Sequence, residues 1–343
     1  MTKARIAVVG CGYWGQKLIR TFGGLTDVQL KGVCDFDPVA LARVKRRYPT
    51  VRLFTEYEDL LSESQIDAIV LATPISTHFP FASKALRACK HVLVEKPIAT
   101  SSEEALQLIE LARKSAKCLM VDHTFMYAPA VRQIKSMFIS GELTELLYYD
   151  SVRISLGLVQ SDTNVLWDLG GHDFSIIDYL CAPNPLSVCA IGTRHFSSPF
   201  ETIAYTSVRF NNNVLAHSHL NWLSPVKLRR ILIGTNKHLI VYDDMEVSDK
   251  LKIYDNTITY YHDVRERERL LSSYQNGGMF APRLETTEPL HLMASDFVHA
   301  IIEQRPPVSD GYAGYRVVRL LEAAQRSLTR SGQPVDLCPC VTS

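Results

Sequence analysis

Residues 5–15 read RIAVVGCGYWG, a short apolar run that ends in three closely spaced glycines. The run has the length and branched side chains of a buried β-strand, and a helical pattern follows it directly. In such a strand–turn–helix unit, Gly10 permits a tight turn and Gly12 lets the backbone approach a pyrophosphate. Gly15 lets the helix pack closely on the strand, and the first N–H groups of the helix face the phosphates. The spacing therefore predicts a dinucleotide site.

An acidic residue completes this pattern. Asp35 ends the second apolar run twenty residues after Gly15, where a carboxylate accepts hydrogen bonds from both hydroxyls of an adenosine ribose. A 2′-phosphate would be repelled there, so the residues favour NAD over NADP. A strand-end turn acid is the alternative that the residue itself leaves open. Tyr13 and Trp14 lie within the glycine turn, and we expect both to contact the cofactor.

Residues 1–123 alternate short apolar runs with helical patterns. The predicted strands are RIAVVG (5–10), VQLKGVCD (28–35), AIVLAT (68–73), HVLVEK (91–96) and CLMVDH (118–123). The predicted helices are 15–23, 38–48, 57–63, 79–89 and 102–115. Continuous β-branched runs that alternate with helices indicate strands covered on both faces, which is typical of a doubly wound parallel sheet. We expect an α/β protein with an N-terminal Rossmann domain at 1–123.

From residue 124 the pattern changes to one of successive strands. The predicted elements are a helix at 128–140, a strand at 145–156, a helix from Trp167 to 180, strands at 186–195, 201–210, 214–222, 227–234, 237–243 and 250–261, and helices at 288–304 and 312–330. Strands joined by tight turns, such as Asn211–Asn213, predict a large open, mainly antiparallel sheet with helices on one face. We expect a second, α+β domain at 124–343 for substrate binding and oligomerisation, with helix 312–330 packing back on the first domain.

The composition excludes several classes of protein. Of the 343 residues, 46% are apolar and 21% charged, and the net charge is +1. This near-neutral balance argues against a nucleic-acid or anionic-membrane surface, and the run VRERER (264–269) mixes both signs. No apolar stretch approaches the ~18 residues that span a bilayer, so we expect a cytoplasmic protein. The eight cysteines form no CxxC pair, and Cys338 and Cys340 have no partner at zinc-site spacing. We therefore expect no disulfide framework and no metal.

Polar segments end two neighbouring strands of the predicted parallel sheet. Thr73 and Pro74 follow one strand, and His78 comes four residues after Pro74. Ligands bind at this carboxyl edge of a parallel sheet, so we expect Thr73 and Pro74 to flank the cofactor. His78 either contacts the cofactor or has a structural role at a helix start. Lys96 ends the next strand, where it would stabilise the alkoxide that precedes hydride loss from a substrate alcohol.

The segment WDLGGHD (167–173) supplies a candidate proton carrier. Asp168 and His172 are four residues apart, which places them on one face of a helix near its start. Histidine has the pKa suited to moving a proton at neutral pH, and an adjacent carboxylate would orient it. Asp173 should point elsewhere. A capping aspartate with an incidental histidine is the alternative that the sequence leaves open.

Together these segments resemble the glucose–fructose oxidoreductase, inositol dehydrogenase and rhizopine-catabolism (Gfo/Idh/MocA) family over essentially the whole chain. The segments that carry the likeness are GCGYWG (10–15), ATPISTH (72–78), HVLVEKP (91–97), WDLGGHD (167–173), EPL (288–290) and GYRVVRLLEAAQRS (314–327). The resemblance implies that Lys96, Asp168 and His172 are catalytic, and that the Lys96–Pro97 bond is cis. The further contacts that we expect are Glu95, Lys96 and His123 for the cofactor and Lys96, Tyr127, Arg153, Asn164, Asp168 and His172 for the substrate. The family usually has glycine where Asn164 stands, so we expect a differently shaped loop there.

The resemblance implies an NAD-dependent oxidoreductase that moves a hydride between nicotinamide and a secondary alcohol or ketone of a sugar. Residues 153–176 look most like family members of nucleotide-sugar and surface-polysaccharide biosynthesis. A cyclitol dehydrogenase, an NAD-dependent glycosidase and a dinucleotide-binding regulator without turnover remain as alternatives. One side of strand 214–222 carries His217, His219 and Asn221. Because an open sheet needs a cover, we expect a homodimer or homotetramer through the second-domain sheet.

The position of Asp35 leads to a prediction about cofactor choice. Its carboxylate would make a like-charge contact with a 2′-phosphate, so NAD(H) should bind at least ~10-fold more tightly than NADP(H), which corresponds to about 1.4 kcal/mol. Fluorescence titration with both reduced cofactors measures the ratio. Equal or reversed affinities would show that Asp35 does not select the cofactor.

Overall fold

The structure of the protein is a computed structural model that describes residues 3–157, 163–181, 184–255 and 278–337. The chain divides into two compact units, and each is described by itself. Unit 1 contains Met1–Ala128 and Thr286–Glu322, whereas unit 2 contains Pro129–Glu285 and Ala323–Val341. The division after Ala128 lies close to the predicted boundary at 124, but the assignment of 286–322 differs from the prediction.

A six-stranded parallel sheet forms the centre of unit 1, with the strand order β3-β2-β1-β4-β5-β6. The strands are β1 (Ala4–Val9), β2 (Val28–Cys34), β3 (Arg52–Phe54), β4 (Ala68–Leu71), β5 (His91–Glu95) and β6 (Leu119–Asp122). All four residues of β4 are fully buried, as expected for a strand covered on both faces. The predicted doubly wound sheet is confirmed. The short strand β3 was not predicted, because three residues are too few to show a period.

Five helices connect these strands at the predicted places. They are α1 (Tyr13–Gly24), α2 (Pro38–Arg47), α3 (Tyr57–Ser62), α4 (His78–Arg87) and α5 (Ser102–Ser115). The carboxylate of Asp37 accepts the Val39 N–H at 2.8 Å and so caps α2. The hydroxyl oxygen of Ser101 accepts the Glu104 N–H at 3.1 Å and caps α5. Both helix starts follow directly from side chains that satisfy otherwise unpaired N–H groups.

Unit 2 is built on a nine-stranded sheet with the order β14-β13-β12-β11-β7-β10-β9-β8-β15. The strands are β7 (Leu146–Leu156), β8 (Pro185–Thr193), β9 (Ile203–Phe210), β10 (Leu215–Asn221), β11 (Leu223–Thr235), β12 (His238–Asp243), β13 (Leu251–Asp255), β14 (Met279–Phe280) and β15 (Val335–Asp336). Neighbours pair antiparallel except β10 with β7, which confirms a mainly antiparallel sheet. The predicted hairpin is also present, since Phe210 N–H donates to the Val214 carbonyl at 3.0 Å.

One predicted strand and one predicted helix of unit 2 differ in their bounds from the elements of the structure. Of the predicted strand 250–261, the structure describes Leu251–Asp255, and the remainder lies outside the described residues, as does VRERER. The helix predicted from Trp167 begins instead as a π-helical turn at Leu166–Gly170 and continues as α7 (Gly171–Cys181). The preceding helix α6 covers Pro129–Ser140, close to its predicted bounds.

The segment 286–322 groups with unit 1, whereas the sequence analysis placed it in the second domain with helix 312–330 packing back on the first. It contains α8 (Pro289–Glu303) and most of α9 (Gly311–Thr329). On α8, the ring of Phe297 packs edge-to-face against Phe22 of α1, with centroids 6.3 Å apart. On α9, the carboxylate of Glu322 accepts hydrogen bonds from the N–H and hydroxyl of Ser102. These contacts join residues distant in the chain, so helix periodicity alone could not assign them.

The described helices and cysteines can be compared with the membrane and disulfide expectations. None of the helices between residues 3 and 337 that the structure describes has the length and apolarity required to cross a membrane. Cys11, Cys34, Cys89, Cys118 and Cys189 are free thiols. Cys338 and Cys340, for which no zinc partner was expected, lie outside the described residues.

The start of α1 leads to a prediction about stability. A Cβ at Gly15 would lie 1.9 Å from the backbone oxygen of Gly10, so Gly15→Ala should destabilise unit 1 by about 1–3 kcal/mol. Gly24→Ala, at the other end of α1, is the control because no described atom lies within 4 Å of its Cβ position. It should be neutral or add up to about 1 kcal/mol. Urea unfolding measures both, and a wild-type transition for Gly15→Ala would contradict this packing.

Candidate functional site

The turn between β1 and α1 leaves open space beside the helix start. Gly10 has φ +96°, and a Cβ on it would lie 2.3 Å from the Ala72 carbonyl oxygen. Gly12 differs, because no described atom lies within 4 Å of its Cβ position. Gly12 precedes α1 without a side chain to cap it, and the first turn of α1 contains no acidic residue. The helix therefore presents its first N–H groups and its positive dipole end to this space.

Asp35 is held beside this turn by two backbone groups. Its Oδ2 accepts the Cys11 N–H at 2.5 Å, and its Oδ1 accepts the Asp37 N–H at 2.9 Å. A carboxylate has about four acceptor positions, so both oxygens keep capacity for a ribose hydroxyl. Burial and the nearby Asp35 charge raise the pKa of the Cys11 thiol to about 12, so this thiol stays protonated.

A cavity of about 670 Å³ extends from the glycine turn along the ends of the strands. The predicted cofactor residues that line it are Gly10, Gly12, Tyr13, Asp35, Thr73 and Pro74. Residues that the sequence did not indicate also line it, including Arg43, Tyr57 and Phe81. The rings of Tyr57 and Phe81 stack with centroids 4.5 Å apart. This volume is in the range of small-molecule sites. No sequence motif marks these extra residues, because they come from separate helices.

Trp14 lies outside the lining of this cavity. Its side chain is 42% exposed, and its ring meets Tyr13 edge-to-face with centroids 5.7 Å apart. The ammonium of Lys17 lies 4.1 Å from the centre of the Trp14 ring. On the first turn of α1, Trp14 therefore makes a cation–π contact with Lys17 and an edge contact with Tyr13.

His78 joins two segments of the sheet edge. It is 1% exposed, its Nδ1 lies 2.8 Å from the Pro97 carbonyl oxygen and its Nε2 lies 2.8 Å from the Thr73 carbonyl oxygen. A proton on either ring nitrogen therefore has an acceptor. Of the two roles left open by the sequence, this geometry supports the structural one. Burial lowers the pKa of His78, and the two carbonyls act in the opposite direction.

The Lys96–Pro97 peptide bond is cis, as predicted. Lys96 itself is partly exposed at the end of β5. Glu95 is 8% exposed and lies opposite Asp122, the last residue of β6. Burial and the Asp122 carboxylate raise the pKa of Glu95 well above its usual range.

His123 follows Asp122 and is 1% exposed. Among the described residues, neither of its ring nitrogens has a hydrogen-bond partner. Burial lowers the pKa of His123 to about 3, and the charges of Lys96 and Arg316 act in the same direction. The imidazole is therefore neutral near pH 7.

Tyr127 makes internal contacts where a substrate contact was expected. It is 2% exposed, its hydroxyl donates to Asp296 Oδ2 at 2.7 Å, and it accepts the Ser309 N–H at 3.2 Å. These bonds tie the residues after β6 to segment 286–322 within unit 1. Burial and the Asp296 carboxylate raise the pKa of Tyr127, so its hydroxyl remains a hydrogen-bond donor.

Two expected substrate contacts in unit 2 are also engaged internally. Arg153 is 5% exposed and forms a bidentate ion pair with Asp173, with N–O distances of 2.9 and 3.1 Å. Asp173 thus points elsewhere, as expected. Asn164 is 4% exposed, and its Oδ1 accepts the Trp167 N–H at 3.0 Å. The bond from Trp167 caps the start of the helix that follows. The amide group of Asn164 also donates to Glu201 and Gln325.

Asp168 and His172 lie on either side of the junction between the π-helical turn and α7. The Oδ2 atom of Asp168 accepts the indole N–H of Trp222 at 3.0 Å. His172 is partly buried at the second position of α7. Single π-helical turns within helices occur frequently at functional sites. Within the ranges that the structure covers, no group of three or more His, Cys, Asp or Glu side chains is arranged to hold a metal ion.

Comparison with known proteins gives matches to both units. Residues 4–123 match the oxidoreductase family with an NAD-binding Rossmann fold, and residues 131–240 match the GFO/IDH/MocA C-terminal domain. The UDP-N-acetylglucosamine 3-dehydrogenase of Acidithiobacillus ferrooxidans is 27% identical over 93% of this chain and 95% of its own. A solved structure of the enzyme of that name from this organism has a TM-score of 0.83, with 25% identity, over 96% of this chain and 99% of its own. A glycosyl hydrolase family 109 protein of Shewanella baltica is 30% identical over 45% of this chain and 36% of its own.

Proposed function

Because the chain belongs to the GFO/IDH/MocA family of NAD-dependent oxidoreductases, we propose that it oxidises or reduces a secondary alcohol of a nucleotide-linked sugar. The observation that carries this substrate class is the likeness to UDP-N-acetylglucosamine 3-dehydrogenase, which extends over 93% of this chain. The segment 153–176 is similar to family members of nucleotide-sugar and surface-polysaccharide biosynthesis. A cytoplasmic location fits both NAD and a nucleotide sugar.

The residues of unit 1 fit NAD. Gly12 leaves open space beside an uncapped helix start, and Asp35 is fixed at the end of β2 with acceptor capacity remaining. The glycine turn and the first N–H groups of α1 would hold the pyrophosphate, and Asp35 would hold the adenosine ribose. When bound, NAD supplies the acceptor or donor of a hydride at its nicotinamide ring.

In the proposed mechanism, three side chains stabilise charge and transfer a proton. They are Lys96, Asp168 and His172. The ammonium of Lys96 stabilises negative charge on the substrate oxygen. His172 accepts the hydroxyl proton during oxidation and returns it during reduction. Asp168, whose carboxylate is held by the Trp222 indole, orients the imidazole. Tyr127, Arg153 and Asn164 are omitted from the substrate contacts because each is at most 5% exposed and engaged within the protein.

An NAD-dependent glycosidase is the second candidate. It is favoured by the match to a glycosyl hydrolase family 109 protein, but that match covers only 36% of the relative. Cyclitol oxidation is a third candidate. A regulator without turnover would have no need of both Lys96 and His172.

We also propose that the exposed face of the unit 2 sheet joins copies of this chain. Tyr205, Leu215 and Tyr148 lie on this face and are 46%, 47% and 38% exposed. Tyr205 stacks on His219 of the neighbouring strand, with ring centroids 4.5 Å apart. Exposed apolar side chains on neighbouring strands are typical of protein interfaces.

The oligomer proposal predicts that a charge on this face lowers the molecular mass in solution. The wild type should be a dimer or tetramer of the 38.6 kDa chain by light scattering, and Leu215→Glu should shift it toward the monomer. Ile139→Glu is the control, because Ile139 is 76% exposed on α6. A wild-type monomer at micromolar concentration would contradict the proposal.

The substrate class can be tested with purified protein and NAD⁺. UDP-N-acetylglucosamine and other UDP-sugars should support NADH formation, measured by absorbance, at a kcat/KM at least ~10-fold above that for inositol or free hexoses. Release of an aryl leaving group from glycosides without net NADH formation would instead identify a glycosidase.

The proposed roles of Lys96 and His172 predict losses of turnover with little loss of cofactor binding. Lys96→Ala should lower kcat roughly 10²–10³-fold, and His172→Ala should lower it about 10²–10⁴-fold. The double variant should lose less than the product of the single losses, because both side chains serve the same chemical step. NADH affinity should change no more than a few-fold, since the glycine turn at residues 10–15 and Asp35 hold the pyrophosphate and the ribose.

Two exposed residues of the same types provide controls for these variants. Lys114→Ala on α5 and His291→Ala on α8 should leave turnover unchanged. If His172→Ala turns over an active sugar as the wild type does, His172 is structural and the proton leaves by another route.

A further inference from the structure

Two carboxyl groups meet where β5 and β6 end. Glu95 and Asp122 are register partners in the parallel pair and are 8% and 2% exposed. Register partners on parallel strands direct their side chains to the same face of the sheet, so the two buried carboxyl groups are neighbours. Two ionised carboxylates side by side in a buried site repel each other, which favours a pair that keeps one proton.

The remaining contacts of the two side chains show which atoms share that proton. Asp122 Oδ1 accepts the hydroxyl proton of Thr124, and Glu95 Oε2 accepts the Lys96 N–H at 3.3 Å. The other two oxygens, Glu95 Oε1 and Asp122 Oδ2, are buried, and neither has a hydrogen-bond partner among the described residues. A proton held between them would satisfy both. The Thr124 hydroxyl is a stronger hydrogen-bond donor to Asp122 than the Lys96 N–H is to Glu95. The negative charge is therefore better stabilised on Asp122 than on Glu95.

We propose that Glu95 and Asp122 share a single proton, held on Glu95 and donated to Asp122, and that this pair positions Lys96. The Lys96 N–H bonds to Glu95, so the pair holds the backbone from which the Lys96 side chain extends. The role of the pair in turnover rests on the proposed function, whereas the shared proton does not.

The charges around the pair fit one negative charge better than two. Lys96 is the charged side chain outside the pair that acts on both carboxyl groups, and it offsets one negative charge. Arg316 on α9 acts on His123, which follows Asp122, and Lys96 also acts on His78 of α4. His123 is neutral near pH 7, since burial lowers its pKa to about 3. A second buried negative charge would lie next to the first in a site of low polarity, which is costly.

The shared proton predicts how stability depends on pH. Burial and Asp122 raise the pKa of Glu95 above its value in the unfolded chain. The contribution of Glu95 to stability is therefore fully present below that ordinary value and is lost as pH rises through the folded value. Glu95→Gln removes this loss, because the amide donates to Asp122 at every pH.

The experiment is thermal unfolding of the protein without cofactor at several values between about pH 5 and pH 9. Relative to wild type, the unfolding midpoint of Glu95→Gln should rise across this range by at least about 2–4 °C. The control is Glu103→Gln, an exposed acid in the first turn of α5, and its curve should run parallel to that of the wild type. Parallel curves for Glu95→Gln and wild type would overturn the proposal.

A second measurement does not depend on the folding of any one variant. The infrared spectrum of the wild type at neutral pH should contain a protonated carboxyl band, and deprotonation should remove it only at alkaline pH. Asp122→Asn, whose amide donates to an ionised Glu95, should lack this band. A wild-type spectrum without the band would show that both carboxyls are ionised.

The positioning role is tested by turnover of the substituted enzymes. Asp122→Asn can still donate to Glu95, whereas Asp122→Ala cannot, so the asparagine variant should keep at least ~10-fold more kcat than the alanine variant, which corresponds to about 1.4 kcal/mol. Equal kcat in the two variants would show that the pair does not position Lys96. If no sugar is turned over by wild type, the proposed function fails while the titration result still stands.

Discussion

The close approach of Gly15 to the carbonyl oxygen of Gly10 determines where α1 begins relative to β1. No side chain can occupy this contact, since a Cβ at Gly15 would be 1.9 Å from that oxygen. The helix start is thereby held at the carboxyl edge of the sheet, with open space beside Gly12 and the Asp35 carboxylate next to it. The dipole and the first N–H groups of α1 are useful to an anionic cofactor only because this contact directs them there.

The remaining part of the edge in unit 1 is organised by buried polar groups. His78 connects the carbonyls of Thr73 and Pro97, and so joins the segments that follow β4 and β5. Glu95 and Asp122 connect the ends of β5 and β6. Because a buried polar group is costly without a partner, these pairings constrain the loops far more than exposed polar residues would. Lys96 lies in the chain between Glu95, which faces Asp122, and Pro97, whose carbonyl bonds to His78.

In unit 2, internal pairing explains residues that resemble substrate contacts in the sequence. Arg153 neutralises the buried Asp173, and breaking such a pair would leave a charge without compensation. Asn164 caps the π-helical turn and so accounts for asparagine where the family usually has glycine. These residues support the segment that carries Asp168 and His172. Their polar side chains suit substrate contact, but their burial and internal bonds give them a structural role.

Local patterns in the sequence determined the secondary-structure elements of this protein. The glycine turn, the capping residues Asp37 and Ser101, and the alternating apolar runs depend on neighbours within a few residues, so the strands, helices and cofactor turn were predictable. Partners distant in the chain could only be decided by the tertiary structure. The assignment of 286–322 to unit 1, the Tyr57–Phe81 wall of the cavity and the Glu95–Asp122 contact all join separate segments. Burial depends on such contacts, and a sequence read residue by residue does not contain them.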